Sequence, residues 1–449
     1  MIQPLFYKIK SFARMILPAF LLDFYHFSLA FLAALACGFP GRKLKIIGIT
    51  GTSGKSTIVA MTTAILEQAG FKVASLSSIR FRIAGKEEIN TKRMTLPGRF
   101  FVQMFLEKAV RVGCQYAVLE ITSEGIKQHR HRFIDFQAVV FTNLSPEHIE
   151  SHGSFEKYRQ AKGWLFAAAK NIHIINLDDE NAEYFLGFKA REKWGYSIES
   201  TKYQVPSTKQ IPNPKFQTIK AEGVEADEND LRFNVKGLRF KLGLIGGFNV
   251  YNALAAISIA RSQGLSLEVC KKALEAFKGV PGRMEQVVSE PFKVFVDYAI
   301  TPDALEKVYQ TLTTNYKLPT AKLVCVLGSC GGGRDKWKRP VLGKIAARYC
   351  DQIILTNEDP YDENPQTIID DIEKGFSSSY KFQVPSSKTL NYFKIIDRRE
   401  AINKSLSSAV AGDVVIITGK GCEPSICLAG GKQIPWDDRQ VVREEFQKQ

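Results

Sequence analysis

The sequence predicts an α/β protein with a central domain on a mostly parallel sheet, a second Rossmann-like α/β domain after it, and a short apolar helix at the N-terminus. Three observations carry this. Short apolar runs alternate with helical periodicity from about residue 44 to 280, the pattern of a parallel sheet with helices on both faces. A glycine loop, Gly48-Ile-Thr-Gly-Thr-Ser-Gly-Lys-Ser-Thr57, joins the first run to the first helix. A second alternation begins after Val280-Pro-Gly-Arg283. The expected segments are 1–43 (N-terminal helical), 44–282 (central domain) and 283–449 (C-terminal domain).

The first element is Met15 to Phe39, largely apolar, with Lys8, Lys10 and Arg14 before it and Arg42, Lys43 and Lys45 after it. Pro18, Asp23 and His26 interrupt it. The longest stretch free of formal charge, His26 aside, is Phe24–Gly41, short for a span that needs about 20 apolar residues. No small-residue cleavage site follows. Two readings stay open: a helix such as Phe24–Cys37 packed on the protein, or one lying on the inner membrane surface.

Strands follow at Leu44–Ile49, Lys72–Leu76, Tyr116–Ile121, Ala138–Thr142 and Ile172–Asn176, with helices such as Arg99–Val112 and Tyr158–Ala169 between them. Pro206, Pro212 and Pro214, then Leu231–Val235 and Leu238–Leu244, predict a small antiparallel excursion over 195–245, before a helix at Tyr251–Ser262. The second alternation reads Phe292–Asp297, Ala304–Thr311, Leu323–Leu327, Arg339–Arg348, Gln352–Thr356 and Asp413–Thr418.

At 449 residues, 45% apolar and 24% charged, the chain has the composition of a globular enzyme. Its 61 basic against 46 acidic residues give +15, which suits anionic partners. The cations form no dense run and have no interleaved aromatics, so nucleic acid is not expected. Eight cysteines contain no C-x-x-C pair, which excludes a zinc pattern and predicts reduced thiols in the cytoplasm.

The glycine loop points to ATP. Gly51 and Gly54 let Thr52, Ser53 and their neighbours turn N–H groups toward phosphate oxygens, at a helix N-terminus. Lys55 then reaches the β/γ-phosphates, and Ser56 or Thr57 offers a hydroxyl to Mg²⁺. The match to G-x-x-x-x-G-K-[ST] is imperfect, because Ile49 stands where the first glycine falls. Glu120, at a strand end, is a candidate Mg²⁺ ligand. His148 follows the next strand and is a better ligand candidate than His152, which has the look of a packed residue.

Thr50-Gly-Thr-Ser-Gly-Lys-Ser-Thr57, Glu120-Ile-Thr-Ser123, Phe141-Thr-Asn-Leu-Ser-Pro-Glu-His148 and Tyr158-Arg-Gln-Ala-Lys162 together resemble the P-loop ATPase domain of the Mur ligases. The nearest branch is the UDP-N-acetylmuramoyl-tripeptide synthetases, and the likeness covers about 44–449. It implies that Ser56 and Glu120 bind one Mg²⁺ and His148 a second, and that Lys162 is the lysine carried as a carbamate. On its own, a lysine on an amphipathic helix is expected to be solvated. Thr95-Leu-Pro97 resembles the loop that meets the acceptor peptide, and Thr122-Ser123-Glu124 stands where that branch has Ser-Ser-His. Asn249 and Asn252 either read the adenine edge or cap their helix; the resemblance favours the first.

In the second domain the resemblance places Arg283 on ATP phosphates and Asp297 near the ribose; Asp303 suits a helix cap, and Ile300 replaces a usual His. Gly328-Ser-Cys-Gly-Gly-Gly-Arg334-Asp-Lys-Trp-Lys338 is similar to the family's glycine-arginine-aspartate-lysine segment, expected to face an anion. Lys420 and Glu423 match another motif, with Cys422 in place of His, and Asp437-Asp-Arg439 matches the C-terminal signature. Where enzymes for meso-diaminopimelate carry aspartate-asparagine-proline-arginine, this chain has Glu358-Asp359-Pro-Tyr361. Those two acids either favour a distal amine on the incoming amino acid or form a solvated loop.

The resemblance implies an ATP-dependent acid–amino-acid ligase in which Lys55, Lys162, Glu120, His148 and Arg283 are catalytic. An amide forms through an acyl phosphate on a peptidoglycan-precursor peptide, with ATP and Mg²⁺, in a monomeric cytoplasmic protein, peripheral to the membrane on the second reading of its N-terminus. A folylpolyglutamate- or cyanophycin-synthetase-like ligase and a catalytically silent P-loop scaffold are the alternatives. The branch's uridine-nucleotide-binding domain, which precedes the P-loop, is expected to be missing, since only 47 residues stand before Gly48.

Overall fold

The structure, a computed structural model, describes residues 18–92, 94–198, 215–316, 321–379 and 390–449. Lys8, Lys10, Arg14, Pro206, Pro212 and Pro214 lie outside them. The chain divides into two compact units, Met1–Pro146 with Gly153–Lys278, and Glu147–His152 with Gly279–Gln449.

The first unit is built on a nine-stranded sheet. Its strands are β1 (Lys45–Thr50), β2 (Val73–Leu76), β3 (Arg80–Ile83), β4 (Lys86–Ile89), β5 (Tyr116–Glu120), β6 (Phe136–Phe141), β7 (Ile172–Asn176), β8 (Glu192–Ser197) and β9 (Lys215–Lys220), ordered β4-β3-β2-β5-β1-β6-β7-β8-β9. Only β3 and β4 run antiparallel to their neighbours. β1 lies between β5 and β6, so Ile47 stands opposite both Val118 and Ala138. The pleat sends Ile47 and Ile49 into one core and Ile46 into another. The first core is closed by the helices Lys55–Gln68 and Phe248–Ser262, the second by Arg99–Arg111 and Phe155–Ala168. Strands buried on both faces need the unbroken apolar runs seen here.

One expectation changes. The stretch 195–245 is not one antiparallel excursion: β8 and β9 extend the main sheet in parallel. Only β10 (Glu222–Ala226), β11 (Leu231–Val235) and β12 (Leu238–Leu242) form a separate antiparallel sheet. The β3–β4 hairpin is not among the expected elements: β3 alternates Arg-Phe-Arg-Ile and buries Phe81, β4 (Lys-Glu-Glu-Ile) is exposed, and ion pairs from Arg80 and Arg82 to Glu87, each at 2.5 Å, join them.

The second unit has a six-stranded sheet of β13 (Glu285–Val288), β14 (Lys293–Asp297), β15 (Leu323–Leu327), β16 (Gln352–Leu355), β17 (Asn391–Lys394) and β18 (Val414–Thr418), ordered β13-β14-β18-β15-β16-β17. All pairs but the edge β13–β14 are parallel. The helix Pro302–Asn315 is capped by Thr301, which accepts from the Ala304 N–H at 3.3 Å, and not by Asp303, which pairs with Lys307.

The apolar N-terminal helix is Ala19–Ala36. Ala30, Ala33 and Ala34 are buried on its inner side, which packs on Arg99–Arg111, and Phe27 and Phe31 meet Phe133. No helix among the described residues is long and apolar enough to cross a membrane. All eight cysteines are free, five of them buried.

Candidate active site

In the first unit the glycine loop leaves β1 and enters the helix Lys55–Gln68. Gly51 and Gly54 both have positive φ, 152° and 84°. A Cβ on Gly51 would lie 1.8 Å from Thr142 Oγ1, and one on Gly54 would lie 2.5 Å from Asn252 Oδ1, so both positions require glycine. The loop is fastened from the end of β6. Asn143 accepts the Ser53 N–H on Oδ1 at 2.9 Å, its carbonyl accepts the Thr52 N–H at 2.9 Å, and Thr142 Oγ1 donates to the Ser53 carbonyl at 2.8 Å. Thr142 and Asn143 stand in a segment the sequence singles out, but their work of supporting the loop was given no role there.

Lys55 folds back on the loop, donating to the carbonyls of Gly51 (3.2 Å) and Thr52 (2.8 Å), with Glu120 at 3.9 Å. Buried Glu120 accepts on Oε2 from Ser56 Oγ (2.8 Å) and from the Ser78 N–H (2.9 Å). Ser78 carries no sequence signal for this contact. Thr57 is buried in the first helical turn.

Lys162 is not solvated. It is 2% exposed, donates to the Gly51 carbonyl at 2.9 Å and lies 4.6 Å from the Tyr158 ring centre. Burial pushes its ammonium well below the usual lysine range; Lys55 pushes the same way and Glu120 opposes. Tyr158 in turn shares a hydrogen bond with Thr52 Oγ1 at 3.1 Å.

Asn249 and Asn252 do not cap their helix, whose N-cap is Gly247. Asn249 donates to the Ile245 carbonyl at 2.8 Å, and Asn252 donates to Asn249 Oδ1 at 2.9 Å. Thr122 caps the short helix Ser123–Lys127 by accepting the Gly125 N–H at 3.1 Å, and Ser123 is buried. Between Thr95 and Pro97, the Leu96 carbonyl accepts a hydrogen bond from Arg130.

The second unit holds the remaining candidates. His148 has φ 58° and lies in the segment Glu147–His152 that clusters with this unit. Asp335 fixes that segment by accepting the N–H groups of Ile149 (3.3 Å) and Glu150 (3.0 Å). Lys338, expected to face an anion, is buried against Glu147 at 3.1 Å, and Arg334 lies in the same turn. His152 is buried, as a packed residue would be.

Arg283 stacks over Tyr298, its guanidinium carbon 4.2 Å from the ring centre. Asp297 accepts the N–H groups of Met284 (2.6 Å) and Ala299 (2.7 Å), which fixes the turn around it. Lys420 is buried between Asp359, at 2.9 Å, and Glu423. Burial works to lower its pKa, but Glu423 and Asp359 raise it above the usual lysine value. Asp359 also accepts the Cys427 N–H at 2.7 Å.

Glu358 and Asp359 are each 4% exposed, so they are not a solvated loop. Burial pushes the Glu358 carboxyl up to about 7, with Asp359 and Glu423 adding to the rise and Lys420 and Arg398 opposing it. Gly328 lies against Thr356–Glu358, and near it Ser329 Oγ and Asn357 Oδ1 are buried without hydrogen-bond partners. Tyr361 has φ 51° and covers Gly332.

Among the described residues no group of three or more His, Cys, Asp or Glu is poised to hold a metal. The Ser56–Glu120 pair has the hard oxygen donors Mg²⁺ takes, and it fits a metal whose other ligands are phosphate oxygens and water.

Residues 49–260 match the Mur ligase middle domain and 282–421 the Mur ligase glutamate ligase domain. The chain is 36% identical over 435 residues to the UDP-N-acetylmuramyl-tripeptide synthetase of Roseiflexus sp. (93% of this chain, 81% of the relative). It is 37% identical over 424 residues to the UDP-N-acetylmuramoyl-L-alanyl-D-glutamate–2,6-diaminopimelate ligase of Clostridium tetani (93% and 80%). A solved structure of a ligase of that second name aligns with TM-score 0.59 at 28% identity, over 90% of this chain and 78% of the other. A Mycobacterium tuberculosis folylpolyglutamate synthase aligns with TM-score 0.67 at 16% identity, over 90% and 96%, a likeness of fold alone. The chain belongs to the Mur ligase family and is an ATP-dependent amide-forming ligase.

Proposed function

We propose that this chain joins an amino acid to the peptide of a peptidoglycan precursor, with residues 44–282 as the ATP-binding domain, 283–449 as the C-terminal ligase domain and 1–43 as an apolar and basic N-terminal helical segment. The observation that carries the site reading is Lys162: a buried amine held at the glycine loop, made a poor cation by its surroundings. A neutral amine is the form that adds to CO₂. The resulting carbamate would replace a destabilised positive charge with an anion beside Lys55 and the loop. That fit supports carbamylation of Lys162.

The chemistry is then largely positioning and charge. A peptide carboxylate oxygen attacks the γ-phosphorus of ATP and ADP leaves; the incoming amine attacks the acyl carbon, loses a proton and expels phosphate. Ser56 and Glu120 would hold one Mg²⁺ and His148 a second, with the modified Lys162 serving the metal site; bound there, the metal would supply positive charge to the phosphate oxygens. Lys55 turns from its loop carbonyls to the β/γ-phosphates. Gly51–Thr57 present N–H groups, Asn249 and Asn252 line the base, and Arg283 and Asp297 serve the nucleotide. Thr95, Pro97, Thr122 and Ser123 meet the acceptor, while Arg334, Lys338, Lys420 and Glu423 shape the amino-acid end. Lys338 and Lys420 do so through the carboxylates they neutralise.

For the incoming amino acid we propose a distal amine. Tyr361 brings no charge to the place of the arginine that pairs with a distal carboxylate, and Asp359 is committed to Lys420. Glu358, Ser329 Oγ and Asn357 Oδ1 remain as acceptors. Competition between lysine, ornithine and meso-diaminopimelate tests this, and a strong preference for meso-diaminopimelate contradicts it.

The function as a whole is tested by phosphate release and product mass with a muramyl-peptide acceptor. Both are expected only when acceptor and amine are present together. Release that ignores either one sinks the reading. The place of work we propose is the inner membrane surface.

A further inference from the structure

Helix Ala19–Ala36 turns one side to the protein, where His26 meets Arg99 and Asp23 meets His129 among small apolar residues, and an apolar side to solvent. Its inner side is Ala30, Ala33 and Ala34. Its outer side shows Phe20 and Phe24, which are 70% and 68% exposed, with Tyr25, Leu32 and Leu35 at 50% or more. At 100° per residue these side chains share one half of the helix, and no charged residue falls among them. Asp23 lies off that arc and pairs with His129 at 2.7 Å. The adjoining helix Arg99–Arg111 adds Phe100 and Met104, 45% and 58% exposed. Single exposed apolar side chains are ordinary; a row of them on a helix already packed on its other side marks an interaction surface.

We propose that this row is a docking surface for an anionic lipid bilayer, on which the helix lies flat with its aromatic side chains at the headgroup boundary. Charge selects the occupant. Exposed Arg42 and Lys43 follow the helix at the turn Pro40–Arg42, and exposed Lys108 ends the adjoining helix beside Arg111, which pairs with Glu107, close enough to Cys37 for Glu107 to be felt there. The sequence puts Lys8, Lys10 and Arg14 before the helix and a net +5 in the first 45 residues (six cations against Asp23). Interfacial helices usually pair an apolar face with a basic one. Here the protein body takes the place of the second face, and the described cations stand beyond its C-terminal end. The inference deepens the peripheral location proposed above and rests on that location, not on the ligase chemistry.

The test is flotation of the full chain with phosphatidylglycerol vesicles and with phosphatidylcholine vesicles, alongside Phe24→Ser/Leu32→Ser and Arg42→Glu/Lys43→Glu variants. Circular dichroism and phosphate release in solution are followed in parallel and are expected to be unchanged in both variants. The account expects flotation with the anionic vesicles and a loss of about tenfold or more in the apolar variant. Each removed cation should cost roughly fivefold, and phosphatidylcholine should bind less. A Phe24→Trp variant should shift its emission to the blue on anionic vesicles. Full chain left in solution by anionic vesicles overturns the proposal. So does concentration-dependent dimerisation abolished by Phe24→Ser/Leu32→Ser, which would assign the surface to a second copy. Loss of phosphate release with flotation intact would count against the ligase reading alone.

Discussion

Lys162 and Lys420 are both buried beside glycine turns, one in each unit, and electrically they are opposites. Lys420 sits between Asp359 and Glu423, which keep it a cation. Lys162 hydrogen-bonds a carbonyl, and its surroundings disfavour its charge. A buried ion pair fixes a geometry and is costly to break from one side. A buried lysine whose charge is disfavoured is a reactive amine. The first kind of lysine holds a site together, and the second is available for chemistry.

The sharpest way to break this contrast is substitution with activity as the readout. Lys162→Ala should lower kcat by about a hundredfold to a thousandfold, as loss of a group that stabilises transition-state charge does. Acetate or another short carboxylate should restore part of it. Lys55→Ala should lose as much, with no rescue by carboxylates. Full activity of Lys162→Ala would remove the catalytic half of the comparison.

Stability should separate the two next. Lys420→Met leaves Asp359 buried against an apolar side chain and should destabilise by about 3–5 kcal/mol in denaturant unfolding. Lys162→Met should be neutral or stabilising in CO₂-free buffer, since it removes a disfavoured charge.

The pH dependence carries the same signs. Unmodified Lys162 is charged in the unfolded chain and disfavoured as a cation when folded, so the unfolded state binds more protons. Stability should rise with pH up to the unfolded lysine value of about 10.4, by up to about 1.4 kcal/mol per unit, and Lys162→Met should flatten the rise. Glu358 acts in the other direction. Its folded carboxyl holds its proton up to about 7 against 4.5 for the ordinary group, so its contribution is full below 4.5 and lost as pH climbs through 7. Glu358→Gln should abolish that loss. At the small end, Thr122→Ala removes a helix cap on the proposed acceptor side and should cost about 1 kcal/mol.

Much of the fold was legible because the central parallel strands are largely apolar runs, of which β7 and β15 match their expected limits, and because antiparallel β11 alternates and matches its limits too. The β3–β4 hairpin was not, because its strands are four residues each, β4 is exposed and polar, and its cross-strand contacts are charge pairs. β8 and β9 were missed as members of the main sheet, since prolines in the intervening stretch suggested a break. The glycine loop was read from local residue types and is built accordingly. What the loop leans on was not legible: Ser78 behind Glu120, and Asn143 behind Ser53, are contacts between residues 42 and 90 positions apart. The burial of Lys162 was also hidden, because its helix has a mixed pattern in which a lysine looks solvated. Tyr158 lies one turn back on the same helix, but the Gly51 carbonyl becomes visible only when the fold brings the glycine loop and that helix together.

The most direct measurement is labelling of the full chain with ¹³C-bicarbonate, followed by NMR. The account predicts one carbamate signal that is absent in Lys162→Met and retained when the buried pair is altered by the conservative Lys420→Arg. No carbamate signal, or one that survives Lys162→Met, would contradict it.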